Sequence, residues 1–156
     1  MHPRSETLLF LAARAQLVEQ IIKPHLAEGH VVLCDRYADS TMAYQGYGHQ
    51  NDLDQISSLI NFATGGLKPN LTLLLDVGAE AGLKRKVEGN EWNRLDAYSL
   101  EFHQRVRHGY AELARAEPER WFIIDADQPA DRVQEAIRQV VQSRLHVADK
   151  PSTADF

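Results

Sequence analysis

An aspartate, an arginine and a tyrosine stand together at Asp35-Arg36-Tyr37, directly after the apolar run HVVLC at residues 30–34. A β-branched run of that length reads as a buried strand, which puts the polar residues at its carboxyl end. Ligands of open parallel sheets bind at that end, where the free N–H groups of a following helix favour an anion. A guanidinium forks onto a phosphate through two parallel hydrogen bonds, so Arg36 is the candidate phosphate ligand. The tripeptide alone leaves a plainer alternative, in which Asp35 caps the turn and Arg36 pairs with a surface acid.

Phe10 and Arg14 lie one helical turn apart, on one face of an upstream helix. An aromatic plate with a directed donor beside it can read the face and the edge of a nucleobase. For Phe10 the competing role is ordinary core packing. For Arg14 that role is weaker, because a guanidinium within an apolar stripe needs an acceptor or a path to solvent. Downstream, Ser40, Thr41, Tyr44 and Gln45 follow on the string CDRYADSTMAYQGYG, residues 34–48. A second basic group, Lys84, Arg85, Lys86 and Arg94, lies within GLKRKVEGNEWNRLD, residues 82–96, which closes on Asp96. A solvated helix face is the alternative for the first three. The stretch from Gly78 to Lys84 follows a strand and opens a helix, but its glycine and lysine spacing is wrong for a phosphate-binding loop. The histidines include no His-Glu-x-x-His pair, and the lone Cys34 builds neither an intrachain disulfide nor a structural zinc site.

The elements that must position these groups alternate. A long helix is expected over residues 6–28, with Ser5 as its cap, Pro24 bending it and Gly29 ending it. After the strand at 30–34 come helices near 40–48 and 52–63, the latter stopped by Gly65-Gly66, and a strand at 71–76. Helix 79–87, loop chemistry over 88–96, helix 97–116, strand 121–124 and a final helix from about Pro129 to residue 146 complete the pattern. Residues 148–156 lack periodicity and read as a frayed tail. Continuous apolar strands between helices indicate a single α/β domain over residues 1–147, a parallel sheet with helices on both faces.

Bulk properties narrow the function. The 156 residues are 44% hydrophobic and 25% charged, as expected of one globular domain. A formal net charge of −5 argues against a broad nucleic-acid or anionic-membrane surface, so any anion site is focal. The apolar stretch at residues 8–22 is interrupted by Arg14, Gln16, Glu19 and Gln20, which disfavours a membrane span. A single cysteine and no signal-peptide pattern make the cytoplasm the expected compartment.

The string at 34–48, read with LLFLAARAQ at 8–16 and continued by LLLDV, GLKR, RLD and the segment from Tyr98 to Asp125, closely resembles the bacterial-type thymidylate kinases. The resemblance covers nearly all of residues 3–145. It implies a P-loop NTPase-like fold of the nucleoside monophosphate kinase kind, with ATP as phosphoryl donor, Mg²⁺, and dTMP as acceptor. By the same resemblance Phe10 stacks on thymine, Arg14 meets a ring carbonyl, Arg36 takes the 5′-phosphate, and Asp35 lies near the acceptor and the metal. Thr41 and Tyr44 contact base and deoxyribose, with Tyr37, Ser40 and Gln45 on the same wall and Asp96 near the sugar. Arg85 and Arg94 of the lid, about residues 84–96, face the transferring phosphoryl group. The resemblance also implies a homodimer formed through the first helix.

Members of the family begin with a strand, a G-x-x-x-x-G-K-[ST] loop and a helix, then a second strand, and these have no counterpart in the sequence. Roughly 55–60 residues of the family pattern are unmatched. In the family's sheet order the loop-bearing strand lies between the strands expected at 30–34 and 71–76, so a gap of about 10 Å would separate them. The expectation is that they re-pair directly or require a partner, and that the chain alone is inactive or nearly so. The alternatives are a deoxynucleoside kinase-like protein and a non-catalytic, dimerising nucleotide-binding fragment.

Overall fold

The computed structural model describes residues 1–89 and 96–148. The first helix, α1 (Pro3–Leu17), begins earlier than its periodicity suggests. Pro3 occupies the first turn, where a missing N–H costs nothing, and His2 rather than Ser5 caps it, Nδ1 accepting from the Arg4 amide at 3.2 Å. α1 runs through a π-helical stretch, Val18–Ile22, into α2 (Lys23–Ala27). That wider turn ends two residues before Pro24, whose ring and absent N–H a regular helix interior cannot accommodate. Gly29 follows at φ 78°, beyond the helix end.

The strand expected at residues 30–34 does not form. The segment takes no regular secondary structure and its burial alternates, with Val32 and Cys34 packed against the Val18–Ile22–Tyr37 cluster. Val31 and Leu33, by contrast, are 83% and 96% exposed. A strand exists only through a ladder, and among the described residues nothing pairs with this one. Nor does it re-pair with the next strand across the expected gap.

α3 (Ala38–Thr41) leads into a π-helical segment, Met42–Gly48, so the helix expected at 40–48 starts two residues sooner and winds more widely. α4 (Leu53–Thr64) is capped by Asp52, whose Oδ1 accepts from the Gln55 amide at 2.9 Å, and ends at Gly65, φ 60°. β1 (Thr72–Asp76) and β2 (Trp121–Asp125) form a parallel two-stranded sheet in register from Thr72↔Trp121 to Asp76↔Asp125. Between them run α5 (Ala79–Glu88) and α6 (Leu100–Ala116), and α7 (Ala130–Ala148) closes the chain. Tyr110 of α6 meets the Trp121 ring edge-on, and Arg144 of α7 lies over Phe122. Trp121 and Phe122 point to opposite faces of the strand, so a helix touches β2 on each, although Ile123 stays 59% exposed. The expected tail falls outside the described residues, apart from Ala148, which ends α7.

The tightest packing joins the π-helical segment to α6. A Cβ on Gly109 would come within 2.7 Å of the Tyr47 ring, and one on Gly48 within 2.7 Å of Phe102. Both glycines are there because an aromatic ring of the facing element lies where a side chain would go. The contact buries Ala43, Phe102 and Val106, with Tyr44, Tyr98, Tyr110 and Leu113 around them. At the far end of α6's sheet contact, Arg107 donates to both carboxylate oxygens of Asp76, at 2.7 and 2.8 Å.

Replacing Gly109 by Ala is expected to destabilise the fold by about 1–3 kcal/mol through overpacking, read from a lower urea midpoint. The Arg107 hydrogen bonds hold the Asp76 carboxyl below its ordinary 3.8. A depressed acid stabilises above its unfolded value and loses that contribution as pH falls through the folded one. Arg107→Met should therefore lower the urea midpoint at neutral pH, with the difference from the wild type shrinking below pH 3.8.

Candidate functional site

The polar residues that the sequence singles out converge where α1, the turn after residues 30–34 and α3 meet. Arg36 adopts φ 62°, a left-handed conformation that a side-chain-bearing residue takes only at a cost. That turn is held from across the site, because Arg14 Nη1 donates to the Arg36 carbonyl at 2.8 Å. The Arg14 guanidinium also lies 5.0 Å from the centre of the Tyr37 ring. Burial lowers the Arg14 pKa, yet an arginine so placed stays charged at any physiological pH. Its Nε is buried without a partner among the described residues.

The Arg36 guanidinium sits 5.1 Å from the Tyr44 ring centre. Burial opposes its charge, but the Tyr44 phenol, with Tyr110 and Asp35, outweighs that and raises its pKa. Asp35 beside it is exposed. Ser40 Oγ and the Tyr110 hydroxyl share a hydrogen bond of 2.8 Å. Burial pushes the Tyr110 phenol up to about 12, so it remains protonated and able to donate. Thr41 is buried, and Tyr44 meets Phe102 and Tyr110 edge-on. Phe10 is 41% exposed, so the core role its apolar helix suggested is not the one it has.

Three sequence-derived residues are engaged otherwise than expected. Tyr37 is a core residue, packed with Val18 and Ile22, and its hydroxyl donates to the Leu67 carbonyl at 3.2 Å. Gln45 is buried, its Nε2 donating to Glu6 Oε1 at 2.9 Å, so its amide faces α1. Arg85 turns to the chain after β2, donating to the Ala126 carbonyl at 2.7 Å and to Asp127 at 2.8 Å. Arg94 lies outside the described residues, as do residues 90–95 of the expected lid. Asp96 is half-buried at their edge.

Sequence reasoning missed Glu6, Tyr110 and the pair Asp39–Arg120. Glu6 is 2% exposed, beneath Gln45 and within 3.5 Å of His49 Nε2. An acid one turn before Phe10 in an apolar stripe was the available signal. Tyr110 and Arg120 carried none, because each reaches the site from a helix or strand end 70 or more residues away in the chain.

An arginine on a strained turn, a second arginine bonded to that turn, and the hydroxyls of Ser40 and Tyr110 suit a phosphorylated nucleoside. Mg²⁺ is held by one or two carboxylates together with waters and substrate phosphates. Among the described residues no group of three or more His, Cys, Asp or Glu could hold a metal ion. Asp35, exposed beside Arg36, fits the role of a single carboxylate in such a phosphate-completed site.

A family model described as thymidylate kinase matches residues 1–137. The chain is 50% identical over 157 residues to a thymidylate kinase of Roseiflexus sp. (strain RS-1), covering 93% of this chain and 70% of that one. Thymidylate kinases of Desulfovibrio desulfuricans and Deinococcus radiodurans are 50% and 44% identical, over 91% and 94% of this chain and 69% and 71% of their own lengths. The family has the P-loop NTPase fold, with which the small parallel sheet and its helices are consistent. With half its residues shared with such relatives along nearly its whole length, the chain belongs to the thymidylate kinase family, the nucleoside monophosphate kinases that act as phosphotransferases.

Proposed function

We propose that the chain binds dTMP as phosphoryl acceptor in the reaction ATP + dTMP → ADP + dTDP, a step in dTTP biosynthesis. The observation that carries this reading is the hydrogen bond from Arg14 to the Arg36 carbonyl. It couples the helix face suited to a base to the turn suited to a phosphate, so both ends of one nucleotide are read by a single rigid unit. Phe10 stacks on thymine, Arg14 offers its remaining donors to a ring carbonyl, and Arg36 forks onto the 5′-phosphate. Thr41 and Tyr44 border the sugar, while Ser40 and Gln45 brace that wall through Tyr110 and Glu6. Tyr37 supports Arg14 from the core, and Asp96 lies toward the sugar.

In the transfer, a 5′-phosphate oxygen attacks the γ-phosphorus in line and the bond to the β-phosphate bridging oxygen breaks. Asp35 is the residue that would hold Mg²⁺, which would supply neutralisation of the charge developing on the transferring group. Arg85 and Arg94 serve the transferring group. For Arg85 this means leaving Asp127, an exposed pair whose loss costs no more than about 1 kcal/mol. The sequence contains no G-x-x-x-x-G-K-[ST] loop, so it supplies no backbone cradle for donor phosphates, and ADP formation by this chain by itself is expected near background.

A second association follows from the first helix. Leu8, Leu9 and Phe10 of α1 and Ile21 of the π-helical stretch are 57%, 58%, 41% and 48% exposed, apolar surface that a second copy of the chain would cover. Light scattering at micromolar concentration should give a dimer mass, and a stable monomer would remove this part of the reading.

The central test is calorimetric titration. dTMP should bind more tightly than thymidine, and Arg36→Met should weaken dTMP about ten- to a hundredfold while leaving thymidine nearly unchanged. Tighter binding of thymidine would favour a deoxynucleoside kinase-like protein, and dTMP-dependent ADP formation at ordinary kinase rates would sink the expectation of an inactive chain.

A further inference from the structure

Arg120, immediately before β2, reaches across the molecule to Asp39 in α3. Its Nη1 and Nη2 donate to Asp39 Oδ2 and Oδ1 at 2.9 and 2.7 Å, a two-bond fork. Nη1 also donates to Thr72 Oγ1 at 2.8 Å, and Nε donates to Glu117. The guanidinium lies 5.0 Å from the Trp121 ring centre, and the Arg120 and Asp39 side chains are each only 14% exposed. Glu117 is shared with Lys68, whose Nζ donates to it at 2.7 Å. Every nitrogen of Arg120 is thus engaged, and both oxygens of Asp39 are taken.

Asp39 directly precedes Ser40 and Thr41, and its charge acts on Arg14, Tyr37 and Tyr110. A carboxylate left unpaired there would draw on a cation its charge already reaches, Arg14, whose Nε is buried with no partner among the described residues. Arg14 drawn to Asp39 would release the Arg36 carbonyl, and the extra negative charge would repel a phosphate arriving at Arg36. We propose that Arg120 is a positioning residue for phosphate recognition: by engaging both oxygens of Asp39 it masks an acid beside the acceptor pocket and keeps Arg14 and Arg36 for the nucleotide.

The inference rests on the dTMP reading, and the test separates the two. Calorimetry with dTMP and with thymidine is run on the wild-type chain, Arg120→Met, Asp39→Asn and the double variant, with circular dichroism to verify folding. Arg120→Met should weaken dTMP about tenfold or more and thymidine less than about threefold, because only dTMP carries the charge that an unmasked Asp39 opposes. Adding Asp39→Asn to Arg120→Met should bring dTMP back to within about threefold of wild type, since no charge is left to mask. Equal weakening of both ligands, or no weakening, would overturn the masking role. If Arg120→Met does not fold, Asp39→Asn alone decides: Arg120 keeps Glu117 and Thr72, so dTMP binding should be unchanged or tighter, and a selective loss of dTMP binding overturns the proposal. A wild-type chain that binds no dTMP overturns the proposed function itself, and the inference with it.

Discussion

The close approach of α6 to the π-helical segment after α3 is the constraint on which the rest of the molecule depends. It puts Tyr47 against Gly109 and Phe102 against Gly48, distances that admit no other residue. Because α3 joins that segment to the turn carrying Arg36, fixing it on α6 fixes Tyr44 and, through α3, Ser40 and Thr41. Tyr110, brought in by the same helix, then closes on Ser40. The site is framed by aromatic packing first and completed by polar bonds second. Apolar contact supplies most of the stabilisation, and hydrogen bonds specify geometry.

A second support comes from the sheet end of the molecule. β1 and β2 pair over five residues, and two strands alone are marginal in water. Helices packed on them hold them here, Tyr110 of α6 against Trp121 and Arg144 of α7 over Phe122, and Arg120 to Asp39 and Arg107 to Asp76 orient them on the helical layer. The two pairs differ in kind. Arg107 and Asp76 are substantially exposed and screened by solvent. Arg120 and Asp39 are mostly withdrawn from water, where removing one partner leaves a charge without compensation. Such a pair fixes arrangement more than it adds stability, which is the property a ligand site requires.

The stretch at residues 30–34 illustrates where local pattern and tertiary structure part. Its alternation is that of a half-buried strand, and Val32 and Cys34 do face a cluster. A ladder, however, is a relation between two segments, and no composition of one segment creates it. Likewise the basic residues of α5 were legible as cations but not as to partner: Arg85 found a carbonyl and an acid after β2, more than 40 residues along the chain.

The sequence by itself determined the family, most of the helices, and two of the apolar runs that become strands, Thr72–Asp76 and Trp121–Asp125. These follow from local causes: periodicity, glycine stops such as Gly65, and a motif string specific enough to identify a relationship. Tertiary structure alone decided which side chains face the pocket and which brace it. It sent Tyr37 into the core and Gln45 to Glu6, brought in Tyr110 from a distant helix, and set Arg120 on Asp39. The physical reason is that a side chain's partner depends on distances between elements far apart in the chain. Local pattern fixes the identity of a charge or ring, whereas packing fixes what it meets.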